Sequence, residues 1–202
     1  MATTKDEKAA YAALHYEGTF VLKNSLGIKN LDDLQEAEAE FMAINSHDRP
    51  IIKKFTLAEL QAVHKHLLGD LYAFAGKIRP YTTGRGGASF ARPEFIAPYF
   101  ASQITQKLKI EGFLRGTTRE QFAARAAHFA SEVNAVHPFI EGNGRTNRLF
   151  ITDLAQQAGH PLDITRIEAC HEEWYAGSKE AFETLDYAKL ASLILQAMPE
   201  GG

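Results

Sequence analysis

A run of twelve residues near the middle of the chain combines side chains and backbone suited to chemistry on a phosphate group. It extends from His137 to Arg148 and reads His-Pro-Phe-Ile-Glu-Gly-Asn-Gly-Arg-Thr-Asn-Arg. Its Gly-Asn-Gly centre, residues 142–144, can adopt the backbone angles that point successive N–H groups into one concavity. A helix that begins there adds the positive end of its dipole. The run therefore predicts an anion-binding site at a helix N-terminus.

Charged side chains flank this predicted site on both sides. Arg145 and Arg148 are three residues apart, so on a helix they lie on one side and can hold a polyphosphate through charge-assisted hydrogen bonds. Glu141 supplies the hard oxygen that Mg²⁺ prefers. His137 is a candidate general base if it is neutral near pH 7. Each feature alone also fits a turn, a loop or a solvent-facing arginine, but together they predict a phosphoryl-transfer site.

Helices must position this run, because apolar residues elsewhere recur at intervals of three and four. Asn30, the pair Thr56 and Glu59, and the pair Thr118 and Gln121 stand where helix caps belong. Gly112 and Gly159 stand where helices end. The pattern predicts an all-α fold with helices over residues 31–44, 57–71, 93–108, 118–133, 144–158 and 187–195.

One segment, residues 78–92, breaks the helical rhythm. It places Pro80 and three glycines around the β-forming residues Tyr81, Thr82 and Thr83, which predicts a short hairpin. Four basic residues lie in or beside it, and from the residues alone they indicate a solvated basic loop: Lys77, Arg79, Arg85 and Arg92. The glycines are not followed by Lys-Ser/Thr, so the segment is not a P-loop.

Composition limits the classes of protein that remain. The chain has 202 residues, of which 45% are hydrophobic and 23% charged, and its net charge is -3. These values predict one folded domain over residues 1–202 and argue against a general nucleic-acid binder. Cys170 is the single cysteine, so no internal disulfide can form. The polar start and the lack of a long apolar run predict a cytoplasmic protein without membrane contact.

The run 137–148 resembles the signature of the Fic domain, His-Pro-Phe-x-Asp/Glu-Gly-Asn-Gly-Arg-x-x-Arg, and meets every defined position. Similarity extends to residues 18–28, 74–79 and 186–190. The resemblance implies the Fic fold, a helical bundle with one short β-hairpin flap near the active site. In that fold, residues 1–30 would form the N-terminal segment, 78–92 the flap, and 137–148 the active-site loop with the start of the next helix.

The same resemblance implies a protein adenylyltransferase, which moves AMP from ATP to a hydroxyl side chain of a target protein and releases pyrophosphate. His137 would deprotonate the hydroxyl, and Glu141 would hold Mg²⁺ between the α- and β-phosphates. The remaining roles would fall to the loop and the helix after it. Asn143 would help to fix the α-phosphate, Gly142 and Gly144 would form the anion hole, and Arg145 and Arg148 would hold the β- and γ-phosphates.

The flap acquires a role from the resemblance, because Fic domains dock the backbone of the target as an added strand. This expectation replaces the solvated basic loop that the composition of the segment first indicates. The predicted docking residues are Tyr81, Thr82, Thr83, Gly84, Arg85, Gly86, Gly87, Ala88, Ser89 and Phe90.

Regulation and partners are implied by what the chain lacks. Many Fic proteins are inhibited by a helix with the motif Ser/Thr-x-x-x-Glu-Gly/Asn, whose glutamate would pair with Arg148. No Glu-Gly in this chain has Ser or Thr four residues earlier, and Glu-Asn does not occur. The resemblance therefore implies the compact class I toxin, inhibited by a separate small antitoxin that carries the helix. Some such toxins modify the ATPase subunits of DNA gyrase or topoisomerase IV, which makes these subunits candidate targets.

Three alternatives remain open. Intact Gly142 and Gly144 favour AMP transfer over the phosphotransferase chemistry of Doc toxins, but phosphocholine or another nucleotide could be the donor. The chain could also be a Fic-shaped interaction module without turnover. A metalloprotein would have to draw its ligands from scattered residues, namely His64, His66, His128, His160, His171, Cys170 and Glu172. Trp174 or Tyr175 could line the base pocket or pack in the core.

Overall fold

Helices form nearly all of the regular structure in residues 4–85 and 88–199, the part of the chain that this computed structural model describes. In chain order they are α1 (Lys5–Leu14), α2 (Leu31–Asn45), α3 (Leu57–Leu68), α4 (Pro93–Tyr99), α5 (Gln106–Ile110), α6 (Arg119–Val136), α7 (Asn143–Ala158), α8 (Ile164–Ala169), α9 (His171–Thr184) and α10 (Ala188–Ala197). Two short strands, β1 (Gly84–Arg85) and β2 (Ala88–Ser89), pair antiparallel. The predicted all-α fold with one hairpin is confirmed.

Side-chain caps begin the predicted helices where the sequence places them. Asn30 accepts hydrogen bonds from the N–H groups of Asp32 and Asp33. Thr56 and Glu59 form a reciprocal capping box at the start of α3, and α6 begins with an equivalent box. Each cap satisfies N–H groups that have no partner within the helix, so the caps fix where the helices begin.

The helix predicted from Pro93 is confirmed, with one local change in winding. A π-helical stretch, Phe100–Thr105, joins α4 to α5, and the backbone angles at both junctions are helical. Helix α3 ends at Leu68, earlier than predicted, and the buried Leu71 lies in the turn that follows. An apolar residue in helical register can thus be buried without being in the helix.

The sequence pattern predicts neither α1 nor the pair α8 and α9. Helix α1 buries none of its residues and is held by a capping box between Thr4 and Glu7. Helix α9 buries Trp174 and Ala181, but Gly177 and Ser178 occupy the rest of its buried face. Hydrophobic periodicity cannot reveal a helix whose buried positions are small or polar.

Helix α6 lies at the centre of the packing and contacts α7, α9 and α10. Its predicted core residues Phe122, Ala126, Phe129 and Val133 are all buried. Many of the remaining buried positions on α6 are alanines. Small side chains at a helix contact allow the axes to approach closely, so α6 can hold α7 near its own C-terminal end. That arrangement places the predicted loop 137–142 between two helices anchored in the core.

The chain ends are described except for residues 1–3 and 200–202. The predicted N-terminal segment, residues 1–30, contains α1 and an isolated antiparallel bridge between His15 and Leu22. Across the described residues, no helix combines the length and the apolar character needed to cross a membrane.

A buried ion pair fixes the middle of α7 to the segment before α3. Arg49 donates two hydrogen bonds to Asp153, from Nη1 to Oδ2 at 2.7 Å and from Nη2 to Oδ1 at 2.6 Å. The Ile52 N–H also donates to Asp153, at 2.8 Å. Asp153 is 6% exposed and Arg49 10% exposed. The paired charges and the backbone bond together satisfy a carboxylate that would otherwise be costly to bury.

We expect Asp153→Ala to lower the free energy of unfolding by about 3–5 kcal/mol, because it leaves the Arg49 cation buried without its partner. Urea denaturation measures the change. Glu111→Ala is the control, since it breaks the more exposed pair with Arg125 and is expected to cost no more than about 1 kcal/mol. Equal losses in the two variants would contradict the structural role of the buried pair.

Candidate active site

The loop from His137 to Gly142 begins and ends at residues with left-handed backbone angles. His137 ends α6 with φ 45°, and Gly142 precedes α7 with φ 77°. A Cβ atom on Gly142 would lie 2.7 Å from Leu68 Cδ1 and 3.3 Å from His64 Nε2. Glycine is therefore required at 142 by both the backbone angle and the available space. The loop brings the predicted base and the predicted anion site to the same end of the two helices.

The first turn of α7 presents backbone N–H groups as the sequence predicts. Among the described residues, no side chain caps this helix, and the first N–H groups of a helix have no partner within it. Gly144 has open space where a Cβ would stand, apart from Arg148 Nη1 at 3.5 Å. The Gly142 N–H donates to Glu141 Oε1 at 2.9 Å, so that donor becomes available to a phosphate when the carboxylate moves away.

The Asn143 side chain shapes the loop in this structure. Its Oδ1 accepts from the Phe139 N–H at 3.0 Å, and its Nδ2 donates to the Phe139 carbonyl at 2.9 Å. Both polar atoms of the amide are thus used within the loop. One N–H of the amide nitrogen is not used in these two bonds, so the phosphate contact predicted for Asn143 stays a prediction.

His64 is a positioning residue, whereas its sequence context offers only a scattered metal ligand or a histidine with satisfied hydrogen bonds. It is fully buried on α3, where its Nδ1 accepts from the Gly76 N–H at 2.8 Å. The proton must then be on Nε2, which donates to the Glu141 carbonyl at 2.8 Å. Burial lowers the pKa of His64 to about 4, so the ring holds the loop in its neutral form. No signal in the sequence distinguishes it from other core histidines.

His137 has the properties of a general base. Its ring stacks on Phe90 with the centroids 4.0 Å apart and the planes 1° from parallel. Burial, together with the charges of Arg79 and Arg85, lowers the pKa of His137 to about 3, while a hydrogen bond with the Asn134 backbone opposes the shift. The Nδ1 atom is inaccessible to solvent, and no described residue lies in a position to form a hydrogen bond of normal geometry with it. A substrate proton can therefore be taken only by Nε2.

Arg145 and Arg148 lie on one side of α7, as predicted, and both contact Glu168 of α8. Arg148 donates to Glu168 from Nε at 3.1 Å and from Nη2 at 3.0 Å, and Arg145 Nε lies 3.5 Å from the same carboxylate. The chain lacks the inhibitory sequence motif. Even so, its own Glu168 occupies the predicted phosphate clamp, which is the pair Arg145 and Arg148. A motif search at fixed spacing cannot find this contact, because α8 reaches α7 only in the tertiary structure.

The Glu141 carboxylate is exposed beside the α7 N-terminus and bonds to its own loop through Oε1. One carboxylate that can turn toward bound phosphates fits Mg²⁺, which usually takes one or two protein oxygens and completes its shell with phosphate and water. The nearby Glu38 is only about half ionised near pH 7, because burial, assisted by the charge of Glu141, raises its pKa to about 7. Among the described residues, no group of three acidic, His or Cys side chains could hold a metal alone.

The predicted flap is present, with Gly84 opposite Ser89 and Arg85 opposite Ala88. The Phe90 N–H donates to the Thr83 carbonyl at 3.0 Å and extends the pairing. Gly86 and Gly87 of the predicted docking segment lie outside the described residues. Two further contacts anchor the start of the flap to α1, because Thr82 donates from its N–H and its hydroxyl to Glu7, both at 2.7 Å.

The basic residues of the flap region do not form one solvated face. Arg79 is fully buried, whereas Lys77 is exposed and the largely exposed Arg92 pairs with Glu94. The Arg85 guanidinium lies over the Tyr175 ring, 4.4 Å from its centroid. Trp174 is buried in the core, whereas Tyr175 is 53% exposed on the flap side. Of the two residues proposed for a base pocket, Tyr175 is therefore the one in a position to contact a ligand.

Comparison with known proteins matches residues 54–155 to the model of the Fic/DOC family. The chain is 41% identical over 169 residues to Protein adenylyltransferase VbhT of Bartonella schoenbuchensis, covering 79% of this chain and 35% of VbhT. It therefore spans about a third of that relative. It is 34% identical over 155 residues to the probable protein adenylyltransferase y4lH of Sinorhizobium fredii, covering 77% of this chain and 81% of y4lH.

Solved structures show the same fold. The BepC protein of Bartonella tribocorum, with bound AMPPNP, superposes with a TM-score of 0.83 at 26% identity over 95% of this chain and 98% of that one. An N-terminal Fic domain of Bartonella quintana, with bound ADP, gives 0.83 at 28% identity over 93% and 94%. The resemblance inferred from the signature is confirmed.

We expect Glu168→Gln to tighten binding of a non-hydrolysable ATP analogue by about two- to tenfold, because it removes the negative charge that competes with phosphate for Arg145 and Arg148. Isothermal titration calorimetry measures the affinity. Glu173→Gln is the matched control, since this exposed glutamate of α9 is not the carboxylate that contacts the arginines. An unchanged affinity in Glu168→Gln would contradict the competition.

Proposed function

This chain belongs to the Fic/DOC family, and we propose that it transfers AMP from ATP to a hydroxyl side chain of a target protein with release of pyrophosphate. The observation that carries the proposal is the juxtaposition of three parts. A neutral histidine, an uncapped helix N-terminus and two arginines lie within the loop and first turn that contain the complete signature. The names of the relatives, and the nucleotides bound in the similar structures, support it.

His137 begins the reaction by taking the proton of the target hydroxyl on Nε2. The hydroxyl oxygen then forms a bond to the α-phosphorus of ATP, while the bond from that phosphorus to the bridging oxygen of pyrophosphate breaks. Because burial keeps the pKa of His137 low, the ring is neutral at physiological pH. The negative charge of bound phosphates then raises this pKa and makes the ring a stronger base. The transferred proton leaves the site through the same open nitrogen.

The N–H groups at the start of α7 stabilise the charge that grows on the α-phosphate. Arg145 and Arg148 hold the β- and γ-phosphates and orient pyrophosphate as the leaving group, once the phosphates have displaced Glu168. Mg²⁺, when bound by Glu141 together with the phosphates, neutralises their negative charge. The two glycines keep side chains away from the reacting phosphate, so the backbone can approach it closely.

The flap would place the target. An extended segment of the target that pairs with one edge of the β1–β2 hairpin gains main-chain hydrogen bonds and is held beside His137. This mode does not require a particular target sequence, and the ATPase subunits of gyrase and topoisomerase IV are the candidate targets. A different donor, such as phosphocholine, is the alternative for the nucleotide side.

Labelled ATP tests the transfer. We expect purified protein with Mg²⁺ and bacterial lysate to label a protein band from ATP labelled at the α-phosphate and not at the γ-phosphate. His137→Ala should reduce the labelling by about 100-fold or more, because a general base contributes about 10²–10⁴ in rate. His66→Ala, which removes a histidine paired with the exposed Asp48, is the control and should label normally. Label from the γ-phosphate would contradict AMP transfer.

A small antitoxin is proposed as the partner, since the chain carries no inhibitory motif of its own. We expect expression of the wild-type chain in bacteria to arrest growth, whereas His137→Ala leaves growth normal. Co-expression of a small protein that carries Ser/Thr-x-x-x-Glu-Gly/Asn in a helix should restore growth. Colony counts measure the effect, and normal growth with active wild-type protein would argue against the toxin role.

A further inference from the structure

The Arg79 side chain connects the flap to the catalytic histidine through backbone contacts. It is fully buried, and its guanidinium donates to four carbonyl oxygens. Two of them belong to the end of α6, with His137 at 2.7 Å from Nε and Val136 at 3.2 Å from Nη2. The other two belong to the flap, where Tyr81 accepts from Nη1 at 2.5 Å and Ala91 accepts from Nη2.

These four acceptors belong to the two parts of the site that must be aligned. Tyr81 and Ala91 flank the strand pair at its entry and exit, so the guanidinium closes the base of the flap. Adjacent backbone bonds support the same geometry, from the Arg79 N–H to Pro138 at 2.9 Å and from the Ala91 N–H to Ala135 at 3.0 Å. The flap and the end of α6 are therefore joined as one unit.

Only arginine can make this connection. Its guanidinium presents five N–H donors in a rigid plane, whereas lysine has one compact charge on a flexible stem. The cation also lies at the C-terminal end of α6, where the helix dipole favours positive charge. Burial lowers the pKa of Arg79 to about 10, so the group remains charged at neutral pH.

The arrangement also fixes the catalytic ring. His137 has a left-handed backbone, a conformation that a non-glycine residue keeps only when its surroundings hold it there. Arg79 donates a hydrogen bond to the His137 carbonyl. Phe90 stacks on the His137 ring and directly precedes Ala91, whose carbonyl also accepts from Arg79. A shift of the flap would therefore change the position of the His137 ring.

We propose that Arg79 is a positioning residue that sets the flap in register with His137, so that the hydroxyl of a docked target meets Nε2. The inference rests on the proposed AMP transfer for its kinetic consequence. Its structural consequence does not depend on turnover, because the link between flap and histidine exists in the free protein.

Two variants separate the geometry of Arg79 from its charge. Arg79→Lys keeps the positive charge but loses the planar set of N–H donors. We expect it to raise the KM for the target about tenfold, with a smaller change in the KM for ATP. Arg79→Gln loses both, and we expect kcat/KM for the target to fall by about 100-fold, the effect of a misplacement of about 1 Å. Arg49→Gln is the control, since it breaks another buried arginine contact, to α7.

Two measurements do not require activity. NMR titration should show the pKa of His137 raised in Arg79→Gln and little changed in Arg79→Lys and Arg49→Gln. The charged groups that act on this ring are Arg79 and Arg85, and Phe90 covers it from the flap, so removal of one cation favours protonation. Hydrogen exchange of the Phe90 and Ala91 amides should accelerate in both Arg79 variants relative to the Arg49 control.

The outcomes separate the two proposals. If wild-type protein transfers no AMP while the exchange and the His137 pKa respond as expected, the proposed function fails and the link between flap and histidine stands. If both Arg79 variants match Arg49→Gln in exchange and His137 pKa, and lose activity only with their folded fraction, Arg79 is merely a structural residue and the inference is overturned.

Discussion

The backbone geometry of the loop between α6 and α7 is the constraint on which the candidate site depends. Left-handed angles at His137 and Gly142 end one helix and begin the next within a few residues. Glycine adopts the angle at 142 readily, whereas the angle at His137 is unfavourable for a non-glycine residue and must be held by neighbouring groups. His64 bonds to the carbonyl of Glu141, Asn143 bonds to both backbone groups of Phe139, and Arg79 bonds to the carbonyl of His137. These bonds keep the base and the anion site together.

The electrostatic properties of the site follow from the close packing of its charged groups. The low pKa of His137 results from its burial and from two nearby arginines. The positive charge of these arginines also favours the approach of phosphates. Glu168 neutralises part of the positive charge of the site while it pairs with Arg145 and Arg148. A polyphosphate that bound Arg145 and Arg148 would therefore have to displace this carboxylate. The pairing with Glu168 also offsets the repulsion between the two neighbouring arginines.

Predictions from sequence succeeded where local physics decides the structure. Caps at Asn30 and Thr56 begin helices as expected, and the apolar stripe of α6 is buried as expected. They failed for α1 and α9, whose buried faces are absent, small or polar, and for the end of α3. The basic appearance of the flap region was also misleading, because Arg79 is a core residue and not part of a charged surface.

The sequence alone determined the family and the candidate chemical groups, because the signature from His137 to Arg148 places the candidate base, anion site and arginines within twelve residues. Local spacing is enough to group them, since a loop and one helical turn hold them together. Only the tertiary structure decided that Glu168 occupies the clamp, that His64 supports the loop and that Arg79 joins the flap to the histidine. Those partners are distant in sequence, and burial and packing of separate elements bring them into contact.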